Sequence, residues 1–228
     1  MANLAGRARP LRKETLQNQV YRELCELILE GGLAPGESVT VASIAEAFNV
    51  SPMPVREALT RLMEAGALTV ISGRSIGVPT PDPAAFEDLK NVRIEVESTA
   101  LRWAIANRDA AFEARLAALL EEMDKAEQNR DLKAHIRTNY EFHFTIYRQS
   151  GSALLLEIIE NFWLRVGPYF HALRERGNLR VSNTHHRLLH KAICEGDATG
   201  ATEALAQDIL AAYDTMAETL LKAKAAPG

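Results

Sequence analysis

Ser51-Pro52-Met53-Pro54-Val55-Arg56-Glu57-Ala58-Leu59-Thr60-Arg61-Leu62-Met63-Glu64-Ala65-Gly66 is the stretch whose reading decides the fold of this chain. Ser51 suits a helix N-cap and Pro52 the first turn, and Val55, Ala58, Leu59, Leu62 and Met63 recur at three- and four-residue steps. The stretch therefore predicts a short helix with one buried face. Arg56 and Thr60, four apart, share a stripe away from that seam, and Gly66 stops the helix before the β-prone run Leu68-Thr69-Val70-Ile71.

Upstream, Leu16, Val20, Leu24, Leu27 and Ile28 make Glu14 to Glu30 an amphipathic helix closed by Gly31-Gly32. Ala34-Pro35-Gly36-Glu37 reads as a turn, and Thr40 caps a second helix through Ile44, Ala45 and Phe48. Asn49-Val50-Ser51 is then a tight connection into the helix that begins at Pro52. Two short helices so joined, the second followed by a hairpin over 68–72 and 76–79, have the spacing that lays one helix in a major groove. The reading is a winged helix-turn-helix with Gly73-Arg74-Ser75 at the wing tip.

With 228 residues, 47% of them apolar, the chain has material for one large domain or two modest ones. No apolar run is long enough to span a bilayer and the N-terminus carries no apolar signal segment, so a cytoplasmic protein without a membrane partner is expected. Cys25 and Cys194 both fall in helical apolar patterns and read as small buried hydrophobes. The net charge of -4 restricts any nucleic-acid contact to a local patch. Residues 1–80 hold eight Lys+Arg against eight Asp+Glu, which leaves 18 against 22 beyond them. Arg7, Arg9, Arg12 and Lys13 mark residues 1–13 as a basic flexible arm, which reads equally as a phosphate-neutralising segment and as a solvated tail.

Leu33-Ala34-Pro35-Gly36, Ile44 to Ser51, Pro54-Val55-Arg56-Glu57-Ala58-Leu59 and the wing from Gly73 to Val78 together resemble the DNA-binding domain of GntR-type bacterial transcription regulators, over residues 14–78. The resemblance implies that Ser51, Met53, Arg56, Thr60, Gly73 and Arg74 face operator DNA, with Arg56 reading bases and the wing tip entering the minor groove. An arginine fork can bond guanine O6 and N7 together, worth about 1–3 kcal/mol of discrimination. Two positions depart from the family pattern. Pro52 stands where a basic residue commonly follows the serine, and Ala42 where some members have arginine. Arg61 reads as a surface ion-pair residue.

Pro79-Thr80-Pro81-Asp82-Pro83 makes a stiff linker over 79–83 that no helix crosses. Beyond it, helices are expected at about 84–106, 109–128, 132–149, 153–174, 182–194 and 198–223, with breaks short enough for antiparallel neighbours. The fold class is thus mainly α, a winged helix-turn-helix followed by an antiparallel all-helical bundle over 84–224. Arg93-Ile94-Glu95-Val96-Glu97, Asn139-Tyr140-Glu141-Phe142-His143, and His186-Arg187-Leu188-Leu189 running into Ala192 to Asp197 make this half similar to the FCD domain of the FadR-like branch of the same regulators.

Asn139 and His143 lie four apart on one helix face, and His186 and Asp208 come from two further helices. The resemblance implies a divalent metal site of the zinc, nickel or manganese type at these positions, where many members carry one Asp and three His. Here Asn139 replaces the carboxylate and Asp208 an imidazole, which leaves two His, one carboxylate and an amide, a set that suits a hexacoordinate ion with open positions. The other reading is that the two His only hydrogen-bond in a polar cavity. His135 and His190 are possible outer partners and read as surface residues, while His171 and His185 join no constellation.

The resemblance further implies that Arg93 lines an effector cavity, with Glu97 and Tyr140 beside it; an ion pair within the bundle is the rival reading of Arg93. The expected protein is a homodimeric regulator, a repressor in the first instance, that binds a palindromic double-stranded operator and answers to a small carboxylic acid. The linker at 79–83 would carry the allosteric link. A metal-dependent hydrolase with a vestigial DNA-binding domain is the alternative. No paired catalytic acid, nucleophile elbow or phosphate loop accompanies it.

Overall fold

The computed structural model describes residues 15–73, 75–79, 82–169 and 179–225. The arm at 1–13, Arg74, the middle of the linker and His171 lie outside the described residues. The N-terminal half runs α1 (Leu16–Leu29), β1 (Ser38–Thr40), α2 (Val41–Ala47), α3 (Pro52–Glu64), β2 (Thr69–Ser72) and β3 (Ser75–Gly77). Thr40 and Ser43 form a reciprocal capping box at the start of α2, which satisfies two of the amide groups a helix N-terminus leaves orphaned. Val20, Leu24 and Ile28 of α1 meet Val55, Leu59 and Leu62 of α3 in a closed core. Burying each such side chain is worth about 1.5–3 kcal/mol.

Three details differ from the sequence reading. Residues 38–40 form a strand, β1, that pairs antiparallel with β3 so that the sheet order is β1-β3-β2. Three residues are too few to show an alternation pattern, and the pairing rests on Gly77, where an added Cβ would meet Glu37 O at 2.1 Å. Leu68 is 3% exposed and belongs to the helical core instead of starting β2. Ser51 occupies the N-cap position of α3 with extended backbone, but its side chain makes no capping hydrogen bond.

The second half consists of α4 (Pro83–Ala106), α5 (Ala110–Gln128), α6 (Leu132–Gln149), α7 (Ala153–Val166), a 3-10 turn (Gly167–Tyr169), α8 (Leu179–Glu195) and α9 (Ala198–Ala225). Asp82, Asp109, Asp131 and Ser152 cap α4 to α7 with their side chains, which is why the breaks fall where the sequence places them. Helix α4 packs on α6, α7 and α9, while α5 packs on α6 and α8. Phe142, Phe144, Ile146 and Tyr147 of α6 are fully enclosed at the centre. α7 ends at Val166, not at Arg174 as the apolar pattern predicts. Pro168 has no amide hydrogen to continue the helix, and Gly167 brings its backbone so close to α1 that a Cβ would lie 2.8 Å from Ile28 O. Cys194 is exposed, contrary to its apolar pattern, with Sγ 3.4 Å from His190 Nε2. No helix among the described residues is long and apolar enough to cross a membrane.

The two halves meet along α7. Leu164 is 4% exposed and sits in the N-terminal core, Arg165 Nε donates to Ala65 O at 2.8 Å, and the Tyr169 hydroxyl donates to Pro79 O at 3.0 Å. Beside these contacts a cavity of about 690 Å³ remains, with walls from α1, α3, α6 and α7.

Candidate functional site

Helix α3 buries Pro54, Val55, Ala58, Leu59 and Leu62, so its other face is turned to solvent. Ser51, Met53, Arg56 and Thr60 all lie on that open face, Met53 with 63% of its surface exposed. The Thr60 hydroxyl donates back to the backbone carbonyl of Arg56 at 2.9 Å, and the Arg56 side chain is exposed. Gly73 stands at the hairpin tip with φ of 51°, a conformation that favours glycine, and is exposed. Arg61, expected to be an ion-pair residue, stacks instead on the Tyr21 ring at 3.6 Å and bonds Asn18 Oδ1 at 3.1 Å. It therefore ties α3 to α1.

In the bundle, α6, α8 and α9 bring His143, His186 and Asp208 together, all three buried, with one ligand atom from each within 4.8 Å of the others. His143 Nε2 lies 2.9 Å from His186 Nε2 and 3.2 Å from Asp208 Oδ2, and His186 Nε2 lies 3.8 Å from Asp208 Oδ1. Burial alone would raise the Asp208 carboxyl. His186, followed by the hydrogen bond and charge of His143, overcomes that and holds it at about 2.

A buried relay stands behind His143, made of the Arg93 and Glu97 that the sequence singled out and of Tyr147, which the sequence reading missed. The Tyr147 hydroxyl donates to Glu97 Oε2 at 2.5 Å and lies 3.4 Å from His143 Nδ1, and Arg93 Nε donates to Glu97 Oε1 at 2.6 Å. Burial, with the Glu97 carboxylate next, pushes the Tyr147 phenol well above its ordinary range, so it stays a donor to Glu97. Its oxygen is then left to accept from His143 Nδ1, and the Nε2 lone pair of His143 faces the other two side chains. Burial works against the Arg93 charge, and Glu97 more than compensates, holding the guanidinium above its ordinary value. Arg93 is thus the intrabundle ion-pair member, 5.3 Å from the Trp163 ring and 5.7 Å from that of Tyr213.

The remaining expected residues divide. Asn139 is part-buried one turn before His143 on α6, and its side chain makes no hydrogen bond among the described residues. Tyr140 does not join the cluster; it stacks on Phe144 at 4.0 Å, meets Trp163 edge-on, and lines the cavity between the two halves. His135, expected at the surface, is 4% exposed with Nδ1 unpartnered, and burial pushes its imidazole down. The signal for Tyr147 and His135 was present: His135, Asn139, His143 and Tyr147 follow at four-residue steps, a polar stripe on a helix whose neighbours at 142, 144 and 146 are core.

The donor set fits a divalent ion. Ligand bonds of ~2.1 Å at angles between octahedral and tetrahedral separate neighbouring donors by ~3.0–3.4 Å. The contacts from His143 at 2.9 and 3.2 Å match such edges, and the His186–Asp208 separation of 3.8 Å is somewhat long. Two imidazole Nε2 atoms this close need a shared proton or a cation between them.

Two family models match successive parts of the chain. Residues 16–78 match the family described as bacterial regulatory proteins, gntR family, and residues 88–211 match the FCD domain. The HTH-type transcriptional regulator McbR of Escherichia coli is 33% identical over 196 residues, which cover 85% of this chain and 89% of that protein. A solved structure of E. coli McbR/YncC superposes with a TM-score of 0.84 at 30% identity, over 90% of this chain and 98% of that one. A GntR regulator from Rhodococcus sp. RHA1, 21% identical and covering 89% and 97% of the two chains, shares the fold with a TM-score of 0.74. The HTH-type transcriptional repressor GlaR of E. coli is 25% identical over 83% of this chain and 90% of that protein.

Proposed function

Because the chain belongs to the GntR family of bacterial transcriptional regulators and carries an FCD domain, we propose that it is a repressor whose hold on a palindromic operator is modulated by a small carboxylic acid received at His143, His186 and Asp208. The observation that carries this reading is the burial of two imidazoles and a carboxylate, from three helices, with no apolar reason to be there. His143, His186 and Asp208 would hold the ion, with Asn139 the nearest further donor. A bound divalent cation supplies positive charge and open positions for a carboxylate. Glu97 and Tyr147 fix the ring of His143, and Arg93 donates to Glu97 and holds it in place. The similarity to GlaR, a repressor by name, supports the sign of regulation. The family is one of regulators, which leaves the hydrolase alternative without support.

Ser51, Met53, Arg56, Thr60, Gly73 and Arg74 form the proposed DNA-reading surface. One such module reads few base pairs, so two copies acting on a two-fold site are required for useful affinity. Val92 and Trp103 lie along one stripe of α4, 40% and 48% exposed, and this stripe supports pairing of two copies. The test is elemental analysis of tag-free protein purified without added metal, beside His186→Ala. About one transition metal per chain, absent from the variant, is expected for a site of this kind. A metal-free wild type that also takes up none on dialysis against Zn2+, Ni2+ or Mn2+ overturns the metal-anchored reading.

A further inference from the structure

Three successive residues of α7 touch three different parts of the molecule. Consecutive helical positions are rotated by about 100°, so a single turn can project side chains toward three neighbours. The Trp163 ring lies 5.3 Å from the His143 ring and stands edge-on to Tyr140 and Phe144. Leu164 is enclosed in the core of the N-terminal half, the one α7 side chain in that cluster among the described residues. Arg165 reaches the end of α3, where Nε donates to the carbonyl of the C-cap residue Ala65 at 2.8 Å.

The last contact is built in detail. The final carbonyls of a helix have no partner within it and carry the negative end of its dipole, which a guanidinium complements. Gly66 has φ of 72°, and a Cβ at that position would come within 2.9 Å of Arg165 Nη2. The glycine that ends α3 thus serves both the left-handed turn and the close approach of Arg165. The rest of the junction runs through α1, which packs on α3 on one side and on α7 and the 3-10 turn on the other, with the Gly167 backbone against Ile28. Lys133 meets Glu30 at 3.1 Å near the surface, and the space around Tyr140 is a cavity of about 690 Å³, so Arg165 is the polar side-chain contact that reaches the end of α3 itself among the described residues.

We propose that residues 163–165 of α7 are the coupling element of this regulator: Trp163 registers the state of His143, and Arg165 passes it to the C-terminal end of the recognition helix. The inference rests on the reading of the His143 cluster as the effector site and of α3 as the DNA-reading helix. It moves the coupling away from the linker at 79–83, whose described contact with the bundle is the bond from Tyr169 to Pro79. A change at His143 that tilts or slides α7 displaces Leu164 and Arg165 together, because the three residues share one helical turn. Trp163 acts as a positioning residue here and needs no contact with the effector.

The experiment is amide hydrogen exchange of the full chain at Ala65 to Leu68, whose amides bond to the carbonyls of Arg61, Met63 and Leu62 and so report opening of the helix end. Two perturbations act from the bundle side, addition of Zn2+ and, without metal, Trp163→Phe. Each is expected to change exchange at Ala65–Leu68 by about 5-fold or more, the lower bound of ordinary allosteric coupling. Both effects are expected to vanish in the Arg165→Ala background, in which an exposed side chain is lost and the fold is kept. Zinc that neither binds nor acts, together with a Trp163→Phe effect that requires Arg165, supports the coupling and removes only the metal reading. No change at these amides under either perturbation, or changes of equal size in Arg165→Ala, overturns the proposal.

Discussion

Glu97→Gln is the substitution that tests the buried relay most directly. Glu97 is fully enclosed and Arg93 is 4% exposed, so the amide would leave a guanidinium in the bundle with no counter-charge. Removing one partner of such a pair costs about 3–5 kcal/mol. The glutamine oxygen can still accept from the Tyr147 hydroxyl, which puts the expectation at the lower end of that range, about 3 kcal/mol. Replacing both charges, as Arg93→Met with Glu97→Leu, removes the uncompensated cation and is expected to cost less than the single change, about 1 kcal/mol for the partner lost by Tyr147. Urea unfolding of metal-free protein, followed by the fluorescence of Trp163 in a Trp103→Phe background, measures both. A single variant that loses under ~1 kcal/mol, or a double variant no better than the single, would refute the claim that Glu97 is what compensates the buried Arg93 charge.

Arg56→Ala is expected to weaken binding to promoter DNA by about 1–3 kcal/mol, and fluorescence anisotropy across a salt series, with unchanged circular dichroism, checks it. Gly77→Ala is expected to break the β1–β3 pairing, since its Cβ would stand 2.1 Å from Glu37 O; loss of amide protection at Val39 and Ile76, with the bundle unaffected, is the readout. On the proposed pairing through α4, the wild type is expected to be a dimer and Val92→Glu with Trp103→Glu a monomer by light scattering at the same concentration, because both side chains are exposed on one stripe; a monomeric wild type refutes the pairing. Tyr147→Phe keeps the ring packing but removes the oxygen near His143 Nδ1, and a 10–100-fold loss of Zn2+ affinity by chelator competition is expected if that oxygen orients the imidazole.

The legibility of this chain followed the range of the interactions. Helices α4 to α6 could be bounded within a residue or two because Asp82, Asp109 and Asp131 cap them locally, and a cap is a property of four consecutive residues. The buried face of α3 was equally plain from its spacing. β1 was not, since three residues paired to a strand more than thirty positions away leave no periodic trace. His143 and His186 are 43 positions apart, and their approach was readable only through the resemblance to a family. Tyr147 lay in view, four residues after His143, but a tyrosine on a helix face has an apolar explanation at hand. It takes the position of Glu97, on another helix, to show that its hydroxyl is what matters.

The exchange of ligand types at the cluster has a consequence for which effectors the site would favour. Relative to a set of one carboxylate and three imidazoles, Asn139 and Asp208 keep one negative charge but carry it on α9 instead of α6, and replace one nitrogen donor by an amide oxygen. Harder oxygen donors and one fewer imidazole shift preference away from zinc toward ions that accept six oxygen and nitrogen ligands. Such an ion keeps more open positions, and a ligand that fills two of them at once loses less freedom per bond than two separate ligands would. On the proposed reading, acids with a second oxygen beside the carboxylate are therefore expected to bind more tightly than simple monocarboxylates of the same size. Isothermal titration of the Mn2+-loaded protein with lactate against propionate decides it: equal affinities would mean that the carboxylate is held by something other than the ion.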